Sequence, residues 1–227
     1  MKPMQARCPV SQVEDQVELQ VPCTLRYLIS MPEGHAAADH RWPLLVFLHG
    51  AGERGDDMTL VRRHGPPRLI DEGRRFPAVV VSPQCPLHTW WNLPAIEMLI
   101  DDLVARHRVD TGRIYLTGLS MGGYGTWALA QRQPERYAAI VPICGGGNAH
   151  DAFKLRDTPT WVFHGALDDV VSADESQRMV DAMQAAGGFP RFTLYPEAGH
   201  DSWTAAYATE ELWTWLFAQR RDAPGRT

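Results

Sequence analysis

The stretch Arg113-Ile114-Tyr115-Leu116-Thr117-Gly118-Leu119-Ser120-Met121-Gly122-Gly123-Tyr124-Gly125-Thr126-Trp127 decides the reading of this chain. Its first five residues form an apolar run of strand type, and Gly122–Gln133 reads as a helix that ends before Pro134. Between them stands Gly-x-Ser-x-Gly, in the strand–turn–helix setting that a nucleophile elbow requires. In so tight a turn a Cβ at Gly118 or Gly122 would collide with neighbouring backbone. The helix also points its first N–H groups toward charge developing near Ser120. An ordinary Gly/Ser turn is the competing reading, and the flanking strand and helix argue against it.

Outward from this stretch, two kinds of segment alternate. Strand-like runs recur at Pro43–Leu48, Ala78–Ser82, Ala138–Ile143, Thr160–His164 and Arg191–Tyr195. Several lack polar alternation, as expected of central strands covered on both faces. Helical patterns lie between them. Pro94–Arg108 puts Ile96, Leu99, Ile100 and Leu103 on one face, Ala173–Ala186 stops at Gly187-Gly188, and Thr204–Gln219 carries Leu212, Trp215 and Leu216. This alternation implies βαβ units and a mostly parallel sheet with helices on both faces. Gln16–Met31 adds one or two strands, expected at an antiparallel edge. No repeat, low-complexity tract or linker interrupts the chain. The expectation is one α/β domain over residues 1–227, with edge strands in 1–42 and the core in 43–220.

A serine hydroxyl needs a base to become a nucleophile at neutral pH. Among nine histidines, His35 and His40 lie in a polar loop before the first central strand, and His107 ends a helix. His49 and His164 each end a strand before a glycine. His200, in Tyr-Pro-Glu-Ala-Gly-His-Asp-Ser-Trp, occupies the loop between the last strand and the last helix. In an open parallel sheet that loop returns to the carboxyl edge, where ligands bind. The acid should fall between Ser120 and His200 in chain order. His164-Gly165-Ala166-Leu167-Asp168-Asp169-Val170-Val171 follows a strand there, with Asp168 as the first choice and Asp169 as the reserve. Neighbours on an extended loop point opposite ways, so at most one of them can face His200.

The first loop, His49-Gly50-Ala51-Gly52-Glu53-Arg54-Gly55, spells a dinucleotide fingerprint. That motif needs a well-formed helix next and an acid at the end of the second strand. Here Asp56-Asp57 and Arg62-Arg63-His64-Gly65-Pro66-Pro67 break up any helix, and the next strand ends Val79-Val80-Val81-Ser82-Pro83 without an acid. The glycines suit an oxyanion loop better, with the Ala51 N–H joining that of Met121. No HExxH, cysteine cluster or P-loop appears, so neither metal nor cofactor is expected.

The bulk numbers agree. The 227 residues include 22 Lys+Arg against 27 Asp+Glu, and the resulting net charge of -5 argues against a nucleic-acid binder. Cys8, Cys23, Cys85 and Cys144 are widely spaced and read as structural thiols. The N-terminus lacks an apolar h-region, and the strongest apolar run, Leu44–Leu48, is too short to span a bilayer. A cytoplasmic protein without membrane contact is the expectation, and the sequence is compatible with a homodimer.

Four motifs together resemble one known group. Leu-His-Gly-Ala-Gly-Glu-Arg-Gly-Asp-Asp, Gly-Leu-Ser-Met-Gly-Gly-Tyr-Gly-Thr-Trp, His-Gly-Ala-Leu-Asp-Asp-Val-Val and Gly-His-Asp-Ser-Trp are similar to the phospholipase/carboxylesterase and dienelactone-hydrolase-like branch of the α/β-hydrolases, which includes feruloyl-esterase-like enzymes. The likeness covers residues 43–217. It implies an α/β-hydrolase fold, a catalytic triad of Ser120, Asp168 and His200, and an oxyanion hole lined by Ala51 and Met121.

Specificity is read from aromatics. Trp90 and Trp91 follow the second central strand, and Trp203 follows His200 by three residues. All three are candidates for an acyl or aryl pocket, with core packing an equal alternative for Trp90 and Trp91. Trp127, Trp161, Trp213 and Trp215 are expected in the core. Only Cys144–Thr158 separates the strand after the nucleophile helix from the acid strand, too little for a cap domain. The expected activity is therefore hydrolysis of small-molecule esters with short acyl or aryl groups through an acyl-enzyme. A serine peptidase or amidase of the same fold is the alternative within enzymes. A catalytically silent ligand-binding protein is the alternative outside them.

Overall fold

The structure, a computed structural model, describes residues 14, 16, 22–36 and 40–221. Seven strands form one sheet in the order β1-β3-β2-β4-β5-β6-β7. They are β1 (Tyr27–Ser30), β2 (Trp42–Leu48), β3 (Val79–Pro83), β4 (Val109–Leu119), β5 (Ala139–Ile143), β6 (Trp161–Gly165) and β7 (Arg191–Tyr195). β1 pairs antiparallel to β3, and every other pairing is parallel. The α/β reading and the antiparallel edge at the N-terminal end thus hold. The proposed strand residues 17–21 lie outside the described residues, as does Cys8.

Helices cover both faces because the strands are apolar on both faces. Along β2, Leu44, Val46 and Leu48 point into one core, and Leu45 and Phe47 into the other. The first core packs against Ile96, Ile100 and Leu103 of α2 (Leu93–Arg106), Trp127 and Leu129 of α3 (Met121–Arg132), and Met179 and Met183 of α4 (Asp174–Ala185). The second is closed by Tyr207, Leu212, Trp213 and Leu216 from the C-terminal helices. A parallel sheet sandwiched in this way has no face left to alternate with polar residues.

Two expectations need correction. Thr204–Gln219 is not one helix but two, α5 (Ser202–Ala208) and α6 (Glu210–Ala218). Thr209 is extended at φ −77°, ψ 109°, and its hydroxyl donates to the Ala205 carbonyl, so a β-branched residue closes one helix and opens the next. Pro66 and Pro67 also do not prevent a helix: they sit in the first turn of α1 (Gly65–Asp71), where a missing N–H loses no hydrogen bond. The glycine loop itself still runs into 3₁₀ turns at Ala51–Glu53 and Leu60–Arg63 rather than into a long helix.

Chain order reverses about β2, since β3 lies on one side and β4 on the other. Loops after β2 and β4 therefore meet at a topological switch point on the carboxyl edge. Between β5 and β6 the structure inserts only a 3₁₀ segment, Ala149–Leu155. No helix among the described residues is long and apolar enough to cross a membrane.

Candidate active site

Ser120 stands between β4 and α3 with φ 52° and ψ −117°, a conformation few L-residues adopt. Its N–H donates to the Ile143 carbonyl at 3.0 Å, and its carbonyl accepts the Tyr124 N–H at 3.1 Å. The turn is as crowded as the sequence implies. A Cβ at Gly122 would lie 1.9 Å from the Leu48 carbonyl oxygen, and one at Gly118 would lie 2.3 Å from that of Gly122.

His200 precedes α5, whose first turn Asp201 caps by accepting from the Thr204 N–H at 3.3 Å and its hydroxyl at 2.7 Å. His200 Nε2 lies 2.9 Å from Ser120 Oγ, and Nδ1 lies 2.8 Å from Asp168 Oδ2. A carboxylate oxygen only accepts, so Nδ1 carries the proton and Nε2 is left to accept from the serine hydroxyl. Asp168 Oδ1 accepts the N–H groups of Val170 and Val171, each at 2.9 Å. Burial opposes ionisation of Asp168, but hydrogen bonds from His200, Val171 and Val170 outweigh it and hold the carboxyl below its ordinary range. Asp169 is exposed. The two loops are tied to each other, since the Ala166 N–H donates to Tyr195 and the Leu167 N–H to Ala198.

The loop after β2 is set by residues the sequence reading passed over. Glu53 is buried, and its Oε2 accepts the Gly50 N–H at 3.0 Å. His49, 1% exposed, bonds in two directions. Its Nε2 accepts the Cys85 N–H at 3.0 Å, which leaves the proton on Nδ1 to be donated to the Gly50 carbonyl at 2.7 Å. Burial is the main cause that lowers its pKa to about 4, against a raising bond to Gly50 and with a smaller push from Arg54. Ala51 opens the 3₁₀ turn and Met121 opens α3, so both N–H groups lack a partner within their helices.

The three tryptophans part company. Trp203 meets the His200 ring edge-on at 5.2 Å and the His64 ring edge-on at 5.3 Å. Trp90 is 57% exposed and lies edge-on to Tyr124. Trp91 is corrected from pocket to core. It is 4% exposed, with its ring tilted against that of His49 at 4.7 Å and its Cδ1 2.8 Å from where a Gly125 Cβ would be. Trp127, Trp161 and Trp213 are buried and Trp215 partly so, as expected.

One group of ligand-type atoms gathers here: Cys144 Sγ, an Asp168 oxygen and a His200 nitrogen lie within 4.8 Å of one another. Both His200 nitrogens already have partners, and burial pushes the Cys144 thiol up to about 12, so it is a protonated, poor ligand. The arrangement suits proton transfer between Ser120 and His200 rather than metal binding.

The match to known proteins includes the elements that carry these residues. The model of the dienelactone hydrolase family matches residues 91–211, which hold Ser120, Asp168 and His200. The chain belongs to that family. Its members are hydrolases of the α/β-hydrolase superfamily, and the fold seen here is theirs. A bifunctional acetylxylan esterase/xylanase of Neocallimastix patriciarum is 31% identical over 138 residues, 57% of this chain and 20% of that protein. A solved thermostable esterase superposes with TM-score 0.77 at 35% identity, over 87% of this chain and 60% of that one. A ferulic acid esterase structure shares the fold at 18% identity and TM-score 0.65, over 85% and 93% of the two chains. This chain thus spans less than two thirds of the length of the first two relatives.

His49 gives a pH test of the loop. It is neutral when folded and titrates near 6.5 when unfolded, so acidification favours the unfolded chain. The contribution is intact above pH 6.5, and on the order of 3 kcal/mol is lost as pH falls toward 4. Urea unfolding at pH 7, 6, 5 and 4.5 should show His49→Asn to be less stable than wild type at pH 7, with the gap closing on acidification. A constant gap would mean that His49 is not held neutral.

Proposed function

We propose that this family member is a serine carboxylesterase that cleaves short acyl or aryl esters through an acyl-enzyme. The observation that carries the reading is the unbroken relay Ser120 Oγ–His200–Asp168, with contacts of 2.9 and 2.8 Å. In this reading Ser120 attacks the ester carbonyl while His200 Nε2 takes its proton, and Asp168 holds the tautomer and faces the imidazolium that forms. The N–H groups of Ala51 and Met121 receive the oxyanion, beside a loop that Glu53 and His49 pin from below. His200 then protonates the leaving alcohol, and water repeats the sequence to release the acid.

Trp203, against His200, and Trp90, against Tyr124 in the first turn of α3, offer apolar surface for the acyl or aryl group. The esterase names among the relatives favour esters over amides as substrates. Among the described residues, the short β5–β6 connection inserts no cap domain.

The direct test is a panel of chromogenic esters of graded acyl length beside a peptide amide. Ser120→Ala should abolish turnover while retaining cooperative unfolding, and a fluorophosphonate should add its mass to the Ser120 peptide of the wild type alone. Turnover that survives in the alanine variant would end the serine-esterase reading, and faster cleavage of the amide would move it to a peptidase.

The two aspartates separate in the same assay. Asp168→Asn should lower kcat on the order of 10⁴-fold, as the same change does in a serine protease, because the imidazolium loses its partner. Exposed Asp169→Asn should stay within about threefold of wild type, since surface changes have small effects. The reverse order would put the acid one residue further on.

An open site also predicts plain saturation kinetics. Acetate-to-hexanoate-sized esters should be preferred, with no jump in rate as an ester passes its solubility limit. Activation at an oil–water interface would contradict the absence of a lid.

A further inference from the structure

Two histidine rings border Asp168. His164, at the carboxyl end of β6, is fully buried and takes no part in the steps above. Its Nε2 lies 3.1 Å from Asp168 Oδ2 and 2.9 Å from the Val171 carbonyl. Both neighbours are acceptors, so Nε2 carries a hydrogen whichever way the rest of the ring is protonated, and that hydrogen is given to the Val171 carbonyl. Its Nδ1 lies 2.7 Å from Ser176 Oγ on α4, and that hydroxyl is 3.1 Å from the Gly145 carbonyl. The ring is therefore clamped between the acid loop and α4.

The loop that carries Asp168 is bonded from both sides. Asp168 Oδ1 receives the N–H groups of Val170 and Val171, and Oδ2 receives His200 Nδ1. His164 Nε2 gives its hydrogen to the Val171 carbonyl and stands 3.1 Å from Oδ2. The Asp168 side chain has no exposed surface. We propose that His164 is a positioning residue for the catalytic acid: its Nε2–H holds the Val171 carbonyl, and with it the loop whose N–H groups orient Asp168, while the ring dipole beside Oδ2 takes up part of the charge that would otherwise fall on His200 alone.

The proposal rests on the serine-esterase reading, and its consequences have a definite sign. Without the His164 hydrogen the acid loop loses its anchor at the Val171 carbonyl and the carboxylate is less neutralised. A shifted loop misaligns His200 and lowers kcat. Lower neutralisation strengthens the pull on the His200 imidazolium, so the acid limb of the kcat/KM profile moves to higher pH. The titratable groups around Asp168 are His164 from β6, His200 from the loop before α5, the Cys144 thiol after β5 and the Tyr124 phenol on α3. α4 adds Glu175, whose charge acts on Tyr124.

Two polar substitutions of similar bulk separate positioning from packing. The amide nitrogen of His164→Gln can reach the place of Nε2 and keep the bond to the Val171 carbonyl beside Asp168. That of His164→Asn reaches only the place of Nδ1 and keeps Ser176 instead. With rates normalised to fluorophosphonate-titrated sites, the Asn variant should lose about tenfold or more in kcat, with KM within about twofold. Its acid limb should rise by about half a pH unit or more, and the Gln variant should stay within about threefold of wild type with the limb in place. Ser176→Ala, which frees the far side of the ring, should fall between them. The low-field proton resonance of the His200–Asp168 bond supplies a readout without substrate, and it should move in the Asn variant and not in the Gln variant. Equal behaviour of Gln and Asn, or a wild-type profile in Asn, overturns the proposal. Ser120-independent turnover in the wild type overturns the underlying esterase reading instead, and the resonance still reports on His164.

Discussion

Ser120 is held at φ 52° by backbone packed so closely that only glycine fits on either side of it. A non-glycine residue in such a region costs of the order of 1–3 kcal/mol, and the surroundings must impose it. β2 and β4 do so. The Leu48 carbonyl of β2 fills the space a Gly122 Cβ would need, and Leu48 pairs in register with Gly118 of β4. The elbow is thus a product of the parallel β2–β4 pairing, and the pairing is secured by side chains far from the serine, Leu44 to Leu48 on one strand and Ile114 to Leu116 on the other.

The same pairing sets what lies opposite the serine. Because β2 and β4 are neighbours, the loop after β2 must pass over the start of α3, and a Cβ on Gly50 would come within 3.6 Å of Ser120 Cβ. A loop so close to the reacting centre needs fixed N–H directions. Glu53 and His49 take both polar groups of Gly50, the N–H and the carbonyl, and leave the next residues to turn their N–H groups elsewhere. Both side chains are buried, so each depends on its partner for satisfaction. His64, whose Nε2 is 3.6 Å from Glu53 Oε1, connects this loop to Trp203 and so to the ring of His200.

How far this was legible in the sequence follows from the range of each interaction. The elbow, the β/α alternation and the acid and histidine loops are local patterns, and each is found where residue type and spacing place it. Asp168 could be preferred to Asp169 through side-chain alternation and the resemblance, and the structure turns Asp168 inward and leaves Asp169 exposed. The histidines other than His200 were not legible in this way. His49 bonds to Cys85, and His164 bonds to Ser176, contacts that depend on where whole elements dock. Trp91 shows the same limit: its neighbours His49 and Gly125 are distant in sequence, and nothing local told core from pocket. Glu53 is the exception, for a glutamate three residues after the glycine that opens a turn is a recognisable capping pattern.

Strain and satisfaction are divided between the two ends of the relay. The serine end stores strain in its backbone and keeps its hydroxyl accessible to a substrate. At the acid end a buried carboxylate would be costly without donors, and three from two segments supply them. Two of those donors come from the acid's own loop, so Asp168 is oriented before His200 contributes. His200 stands between the ends as the most solvent-exposed member of the Asp168 cluster, with 19% of its side-chain surface exposed, against none for His164 or Asp168. Under the proposed esterase reading, an imidazole that moves a proton between two partners gains from this arrangement. An acid held by its own loop keeps its place as the ring moves, and so favours the tautomer that accepts from Ser120.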